Sequence, residues 1–394
     1  MNLFNQISIT SSKLNSLINA TNTYKDTGLM FLGEGIDNNL VIVDVINFGF
    51  LSIFPVLSNL LNINVELLIG CFFLILFFAS LFFTLISCFK LCLNKSKILP
   101  LIILVLAIYF LIFKFILITN AEYFIYFFWG MLPFSYYYFL TKKFNVKLIF
   151  VITFSLLLIL LGSLLYYSFI SFLLFYMIKI NIENKLSNRF LFNVIPIIAF
   201  FILISVQNYS NNQAVKNLAS LKKTTLENQN YPADLGNNAF FSFYAGLGFI
   251  NSNHFEGHFI DDEIYKVVGK LDKDGGRSNN KNLGTMTELT INDLDKVKKK
   301  IFYLFFNEPF FIFKVVFAKL GVLLGYFLVI NNISLFYFFS KNLRNYYKIP
   351  LLINLFFSAI IPIISIPSKL YSLGFLGASL SILFISYCKN KRFF

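Results

Sequence analysis

Between Glu66 and Lys90 the chain carries no charged side chain, and Leu, Ile and Phe dominate the interval. A helix crosses a bilayer core with about 20 apolar residues. This stretch alone therefore directs the chain toward a membrane fold. It is one of several: apolar spans cover approximately 66–90, 98–118, 122–141, 147–178, 190–207, 310–338, 349–366 and 370–388. Soluble domains usually contain about 25% charged residues, whereas this chain has 13% and is 57% hydrophobic. The reading is an all-α polytopic membrane protein. Heavy use of Phe, Ile, Lys and Asn is taken as genomic base bias and given no functional weight.

Net charge is +14, but its placement argues against a nucleic-acid partner. Residues 207–308 hold 12 basic and 12 acidic side chains, so the whole excess lies among the apolar spans. There it forms clusters: Lys90, Lys95 and Lys97; Lys142, Lys143 and Lys147; Lys179, Lys185 and Arg189; Lys341, Arg344 and Lys348; Lys389, Lys391 and Arg392. Basic residues between spans mark the cytoplasmic side. All five clusters and the C-terminus are therefore expected there, in a bacterial inner membrane. Span 147–178 then starts and ends inside, so it crosses twice with a break at Gly162–Ser163. The result is about nine transmembrane helices and one large extracytoplasmic loop of mixed short helices. The organisation expected is an outer-face segment with interfacial helices at 1–65, a bundle at 66–207, a loop at 208–308 and C-terminal helices at 309–394.

The N-terminal part admits two solutions, because span 66–90 must run from outside to inside. Residues 41–61 could be an entry helix, but Asp44, Asn47 and Pro55 interrupt them, and a central Asp costs roughly 3 kcal/mol on insertion scales. The preferred solution places 1–65 outside and expects a further membrane helix ahead of residue 1.

Charged groups at the outer rim are the chemical candidates, since such groups usually face a cavity or a partner. Glu34, Asp37 and Asp44 precede the first clear span. Lys114 ends span 98–118, Lys314 and Lys319 begin span 310–338, and Lys369 lies in an outer turn. Lysines hold phosphate and a carboxylate can deprotonate a hydroxyl. The plainer reading has Lys114, Lys314 and Lys369 snorkelling to headgroups, Asp37 as a turn residue and Asp44 as a helix cap. Lys319 lies deeper and is less easily explained that way.

The loop contains both histidines, in NHFEGHFIDDE at 253–263. His254 and His258 would share a helix face and could bind zinc with a third ligand. Gly257 and Asn253 favour a loop, and only carboxylates such as Asp261 and Asp262 are near in sequence. A loop lining the acceptor is preferred over a transition-metal site or a carboxylate-held divalent cation. No metal ligand or cofactor is assigned. Gly246 and Gly248 in GLG lack the pattern of a nucleotide fingerprint. TINDLDKVKKKIFYLFF, 290–306, reads as a surface helix with Thr290 as N-cap, delivering the chain to Pro309 at the start of the next helix. Of four cysteines, Cys71, Cys88, Cys92 and Cys388, none is in the loop, which argues against an exported disulfide framework. Cys88 and Cys92, one turn apart, read as small apolar filler.

NEPFFIFKVVFAKLGVLLGYFLVINN, 307–332, resembles the segment after the large loop in polytopic C-type (GT-C) glycosyltransferases. There an N/H-x-P-like turn precedes a membrane helix with basic residues. FFSFYAGLGF, 240–249, followed by Asp261, Asp262 and Tyr265, resembles the stretch before it. IPSKLYSLGFLG, 366–377, resembles a late P-x-x-x-Y turn through Pro367 and Tyr371. The likeness covers the C-terminal 40% or so of the chain. It implies sugar transfer from a polyprenyl-phosphate donor to a glycan, lipid or protein acceptor on the outer face. The donor phosphate would lie near Lys314, Lys319, Lys114 or Lys369. The family's acidic residue falls in the first outer loop, which carries over to Asp37 in GEGID, with Asp44 or Glu34 as substitutes. The family's aromatic after that acid has no clear counterpart in NNLVIVD. Two other readings stand beside this one. A polysaccharide polymerase or ligase would rely on loop Arg or His, and Arg277 is the only loop arginine. A lipid-glycan transporter or degenerate relative should show internal repeats, and none is evident.

Overall fold

The computed structural model describes residues 7–9, 11–34, 40–42, 53–92, 95–140, scattered helical positions between 194 and 220, 239–250, Val267, 291–339 and 345–389. The N-terminal part comprises α1 (Ser11–Thr27), a two-stranded antiparallel hairpin of β1 (Leu32–Glu34) and β2 (Leu40–Ile42), and α2 (Phe54–Leu61). The hairpin departs from the all-helical expectation. Its register sets Leu32 opposite Ile42 and Glu34 opposite Leu40. Residues 41–61 are thus not one continuous entry helix: they begin in β2 and end in α2, whose 8 residues span only about 12 Å.

Three helical runs among the described residues are long and apolar enough to cross a membrane: Val65–Leu91, Lys95–Ser135 and Pro309–Asn332. The first is α3, and its ends follow from sequence. Asn64 Oδ1 accepts the Glu66 N–H at 2.9 Å, Glu66 lies in the first turn and Lys90 in the last. Each complements the helix dipole. The second run contains α4 (Ile98–Ile112) and α5 (Phe124–Leu140), joined through a π-turn at Phe113–Leu117 and a 3-10 turn at Ala121–Tyr123. Asn120 leaves helical geometry at φ −147° and ψ 52°. Ring contacts show that the run folds back on itself. Tyr109 meets Phe127 at 5.7 Å, and Phe113 and Phe124 both lie against Phe77 of α3. The expected turn near 118–122 is therefore present.

Within the loop region 208–308 lie α6 (Ala239–Leu247) and α7 (Ile291–Asn307); after it come α8 (Pro309–Phe339), α9 (Asn345–Ser358), the single turn α10 (Ile360–Ile364) and α11 (Leu373–Lys389). The expected double crossing at 147–178 lies outside the described residues. So do Thr290, His254, His258, Asp261, Asp262 and most of the loop.

Polar contacts within the bundle fix how the helices run. Lys319 of α8 meets residues 363 and 365, Asn331 meets Ser379 and Tyr337 meets Lys389. Thus α8 and α11 run the same way, and α9, packed against α11 and α5, runs back. On α3, Ser80 and Thr84 bond the Tyr109 hydroxyl at 2.6 and 3.0 Å, and Thr84 reaches Ser135 at 2.9 Å. Hydroxyl pairs of this kind join membrane helices where no water competes.

The closest helix approach uses small residues. A Cβ on Gly130 of α5 would strike the Gly374 carbonyl of α11 and lie 2.8 Å from the Ala378 nitrogen. One on Gly377 would lie 2.7 Å from the Phe127 carbonyl. The Gly130 oxygen accepts from Ser381 at 3.0 Å and from Asn354 at 3.3 Å. Outward faces are apolar, with Ile75, Phe78 and Phe82 on α3 and Phe313, Phe317 and Leu324 on α8 exposed, as lipid contact requires.

The bundle has two unlike ends. At the basic end, Cys92 meets Cys388, Lys97 lies over the Tyr387 ring and Tyr337 bonds the Lys389 carbonyl. At the other, the cap end, Ser8 pairs its backbone with Leu117 and Ala121, and α1 and α2 pack beside the start of α3. There too α6 sits against α10 and α7.

Candidate functional site

Lys319 lies ten residues into α8, about 15 Å along the helix from Pro309. Its side chain is wholly buried. Nζ donates to the Ile363 carbonyl at 2.9 Å and to the Ser365 carbonyl at 2.5 Å. The sequence explains the acceptors. The single turn α10 ends at Ser365, whose ψ of −110° departs from helix, leaving carbonyls without helical donors. A cation at a helix C-terminus also complements the dipole there. Ser365 itself closes back on Ile361, through its N–H at 2.9 Å and its hydroxyl at 2.8 Å.

Gly246 of α6 completes the site. A Cβ there would collide with the Ser365 carbonyl, lie 2.5 Å from the Ile364 carbonyl and 2.8 Å from Lys319 Nζ. The glycine in GLG is therefore required by close backbone approach. Helix α6 is held in place by Phe241, Tyr244 and Leu247 against Val297, Ile301 and Leu304 of α7 and Ile312 and Val315 of α8. Helix α7 buries that stripe while Lys296, Lys299, Phe302, Tyr303 and Phe306 remain exposed. Asp293, buried in its first turn, pairs with Lys296 at 3.2 Å.

An ammonium group has three N–H donors, and two of those on Lys319 meet carbonyls. Among the described residues no carboxylate forms an ion pair with it; the ion pairs there are Asp293–Lys296 and Asp295–Lys298. Where the amine is protonated, a buried ammonium with no counter-charge among the described residues makes its surroundings favourable to an anion.

The other sequence candidates are distributed differently. Lys314 is exposed on α8. Lys114 is exposed in the π-turn, its Nζ 5.6 Å from the centre of the Phe115 ring. Lys369 is exposed in the turn before α11. Glu34 ends β1, and Asp37 and Asp44 lie outside the described residues. The structure therefore places Lys319 at the cap end, but among the described residues it brings no candidate carboxylate to it. Tyr371, from the P-x-x-x-Y turn, packs edge-on against Tyr123 at 5.6 Å, beside the buried Glu122. Glu122 is one of the outer-face polar groups that follow Lys114 in the sequence, whereas Tyr123 is a rim residue that spacing alone did not single out. Their signal is a polar break, TNAEY, between two apolar spans. Among the described residues no three His, Cys, Asp or Glu side chains gather to hold a metal ion.

Comparison with known protein families, with curated proteins and with solved structures found no match.

Proposed function

We propose that this protein is a membrane glycosyltransferase that takes a sugar from a polyprenyl-phosphate donor at the cap end. The observation that carries the reading is Lys319, a buried cation with one N–H left over, lying where the loop helix α6, the turn after α10 and α8 meet. The donor phosphate would take that third N–H, with Lys314 and Lys369 adding positive potential at the rim. Glycine at 246 lets the α6 backbone lie directly against Nζ. The apolar outer faces of α3 and α8 suit the prenyl chain. A carboxylate of the N-terminal segment, Glu34, Asp37 or Asp44, would accept the proton of the acceptor hydroxyl. The acceptor oxygen would bond the anomeric carbon while polyprenyl phosphate leaves. Lysines collected at the opposite end assign that end to the cytoplasm and the cap to the outer face.

The test is donor turnover. The full chain in liposomes is given polyprenyl-phosphate sugars labelled in the sugar, and release of label from the lipid is followed. Release by the wild type that falls at least tenfold in Lys319→Met, with both proteins equally monodisperse, is the expected result. Turnover unchanged by Lys319→Met, or absent with every donor, overturns the reading.

A further inference from the structure

A second pair of reactive groups lies at the basic end, far from Lys319. Cys92 Sγ and Cys388 Sγ are 2.9 Å apart although 296 residues separate them in the chain. We infer that Cys92 and Cys388 form a reversible redox modification site, a dithiol that closes to a disulfide and ties the end of α3 to the end of α11.

Three observations carry this. Cys92 caps α3 in extended geometry, φ −67° and ψ 118°, so its side chain leaves the helix face that holds Cys88. It is half-buried, whereas Cys388 and Cys88 are buried. Reagents in water therefore reach Cys92 first, and Cys388 stands behind it as the resolving thiol. A disulfide sets its sulfurs about 2.05 Å apart, so bonding asks for an approach of about 0.9 Å. Support comes from the electrostatics. The hydrogen bond from Cys388 holds the Cys92 thiol below its ordinary pKa; burial opposes this, and Lys97 and Lys389 add to it. The thiolate is the attacking species in exchange.

The oxidant is a low-molecular-weight disulfide. The Cys92 thiolate attacks one of its sulfurs, forming a mixed disulfide and releasing one small thiol. Cys388 then gives up its proton to the departing small thiolate as its sulfur attacks Cys92 Sγ, forming the Cys92–Cys388 bond and releasing the second small thiol. Two electrons pass from the protein to the small disulfide. Because the basic end is assigned to the cytoplasm, the resting state is the dithiol, and a rise in oxidised small thiols closes it.

The experiment uses the full chain in nanodiscs with oxidised glutathione as the probe. After oxidation the protein is denatured in the presence of a polymer-linked maleimide, which reports free thiols as mass steps on a gel, and is digested for peptide mass spectrometry. We expect four reactive thiols before oxidation, two after it and four again on reduction. The cross-linked peptide should join Cys92 to Cys388. Cys388→Ser should stop at a glutathione adduct on Cys92, and Cys71→Ser should oxidise like the wild type. Four thiols persisting after oxidation, or a bond that involves Cys71 or Cys88, overturns the inference. The wild-type measurement decides the matter even where a variant folds poorly.

Discussion

Replacing Gly130 by alanine should loosen the bundle at its tightest point. The added Cβ would strike the Gly374 carbonyl and lie 2.8 Å from the Ala378 nitrogen and 3.0 Å from the Gly377 Cα. These are backbone atoms, so α11 has to withdraw, by roughly 1 Å at interior packing densities. Overpacking of this kind costs about 1–3 kcal/mol. Withdrawal also stretches the Ser381 and Asn354 bonds to the Gly130 oxygen, now 3.0 and 3.3 Å. Each such bond contributes about 0.6 kcal/mol in a membrane protein. Alanine recovers about 1 kcal/mol of helix propensity relative to glycine. The net loss is about 1–3 kcal/mol. Thermal unfolding in detergent, followed with a thiol-reactive fluorogenic dye, is a direct assay because Cys88 and Cys388 are buried. Gly130→Ala should melt several degrees below the wild type. Gly325→Ala, whose Cβ would meet nothing within 4 Å, should melt at or slightly above it. If the two variants melt together, the close approach of α5 and α11 is not what the glycine serves.

Gly246→Ala should displace α6 from the turn after α10 and expose the buried Phe241 and Tyr244. Limited proteolysis between 239 and 250 should then run faster than in the wild type. Tyr109→Phe removes the hydroxyl shared by Ser80 and Thr84 and should cost about 0.6–1.7 kcal/mol, read as a lower melting temperature; a double cycle with Thr84→Val should show coupling. In a Cys71→Ser/Cys88→Ser background, maleimide labelling of Cys92 should persist as pH falls below the ordinary thiol range, because Cys388 holds its pKa down. Replacing Cys388 by serine should move the labelling profile to higher pH.

Much of the bundle is legible because its signals are local. The uncharged interval after Glu66 becomes α3, and the run from Pro309 becomes α8, within a residue or two of the spans read from hydropathy. The amphipathic stretch read at 290–306 becomes α7, Ile291–Asn307, and its apolar stripe is the surface that holds α6. The hairpin at Leu32–Ile42 was not legible, since two strands of three residues leave too short an alternation to detect. Asp44 and Pro55 did argue correctly against one long helix at 41–61. Long-range pairings are invisible to periodicity. Gly130 and Gly377 look like ordinary small residues until α5 and α11 are in register. Spacing paired Cys88 with Cys92, but the end of α3 turns Cys92 toward Cys388. Lys319 stood out as deeper and less easily explained by snorkelling, and its depth is explained by the carbonyls released where α10 ends. What pattern alone did not show is that Gly246 of the loop would seat directly over it.

The most direct measurement is binding of a polyprenyl phosphate, without sugar, to the full chain in detergent by native mass spectrometry, comparing wild type, Lys319→Arg and Lys319→Met. A charge-assisted hydrogen bond contributes about 1.5–3 kcal/mol, so loss of the ammonium should weaken binding roughly 10- to 150-fold. Lys319→Arg, which keeps the charge, should fall between. Binding that is equal in wild type and Lys319→Met would contradict the account, and so would binding that is matched by an uncharged polyprenol.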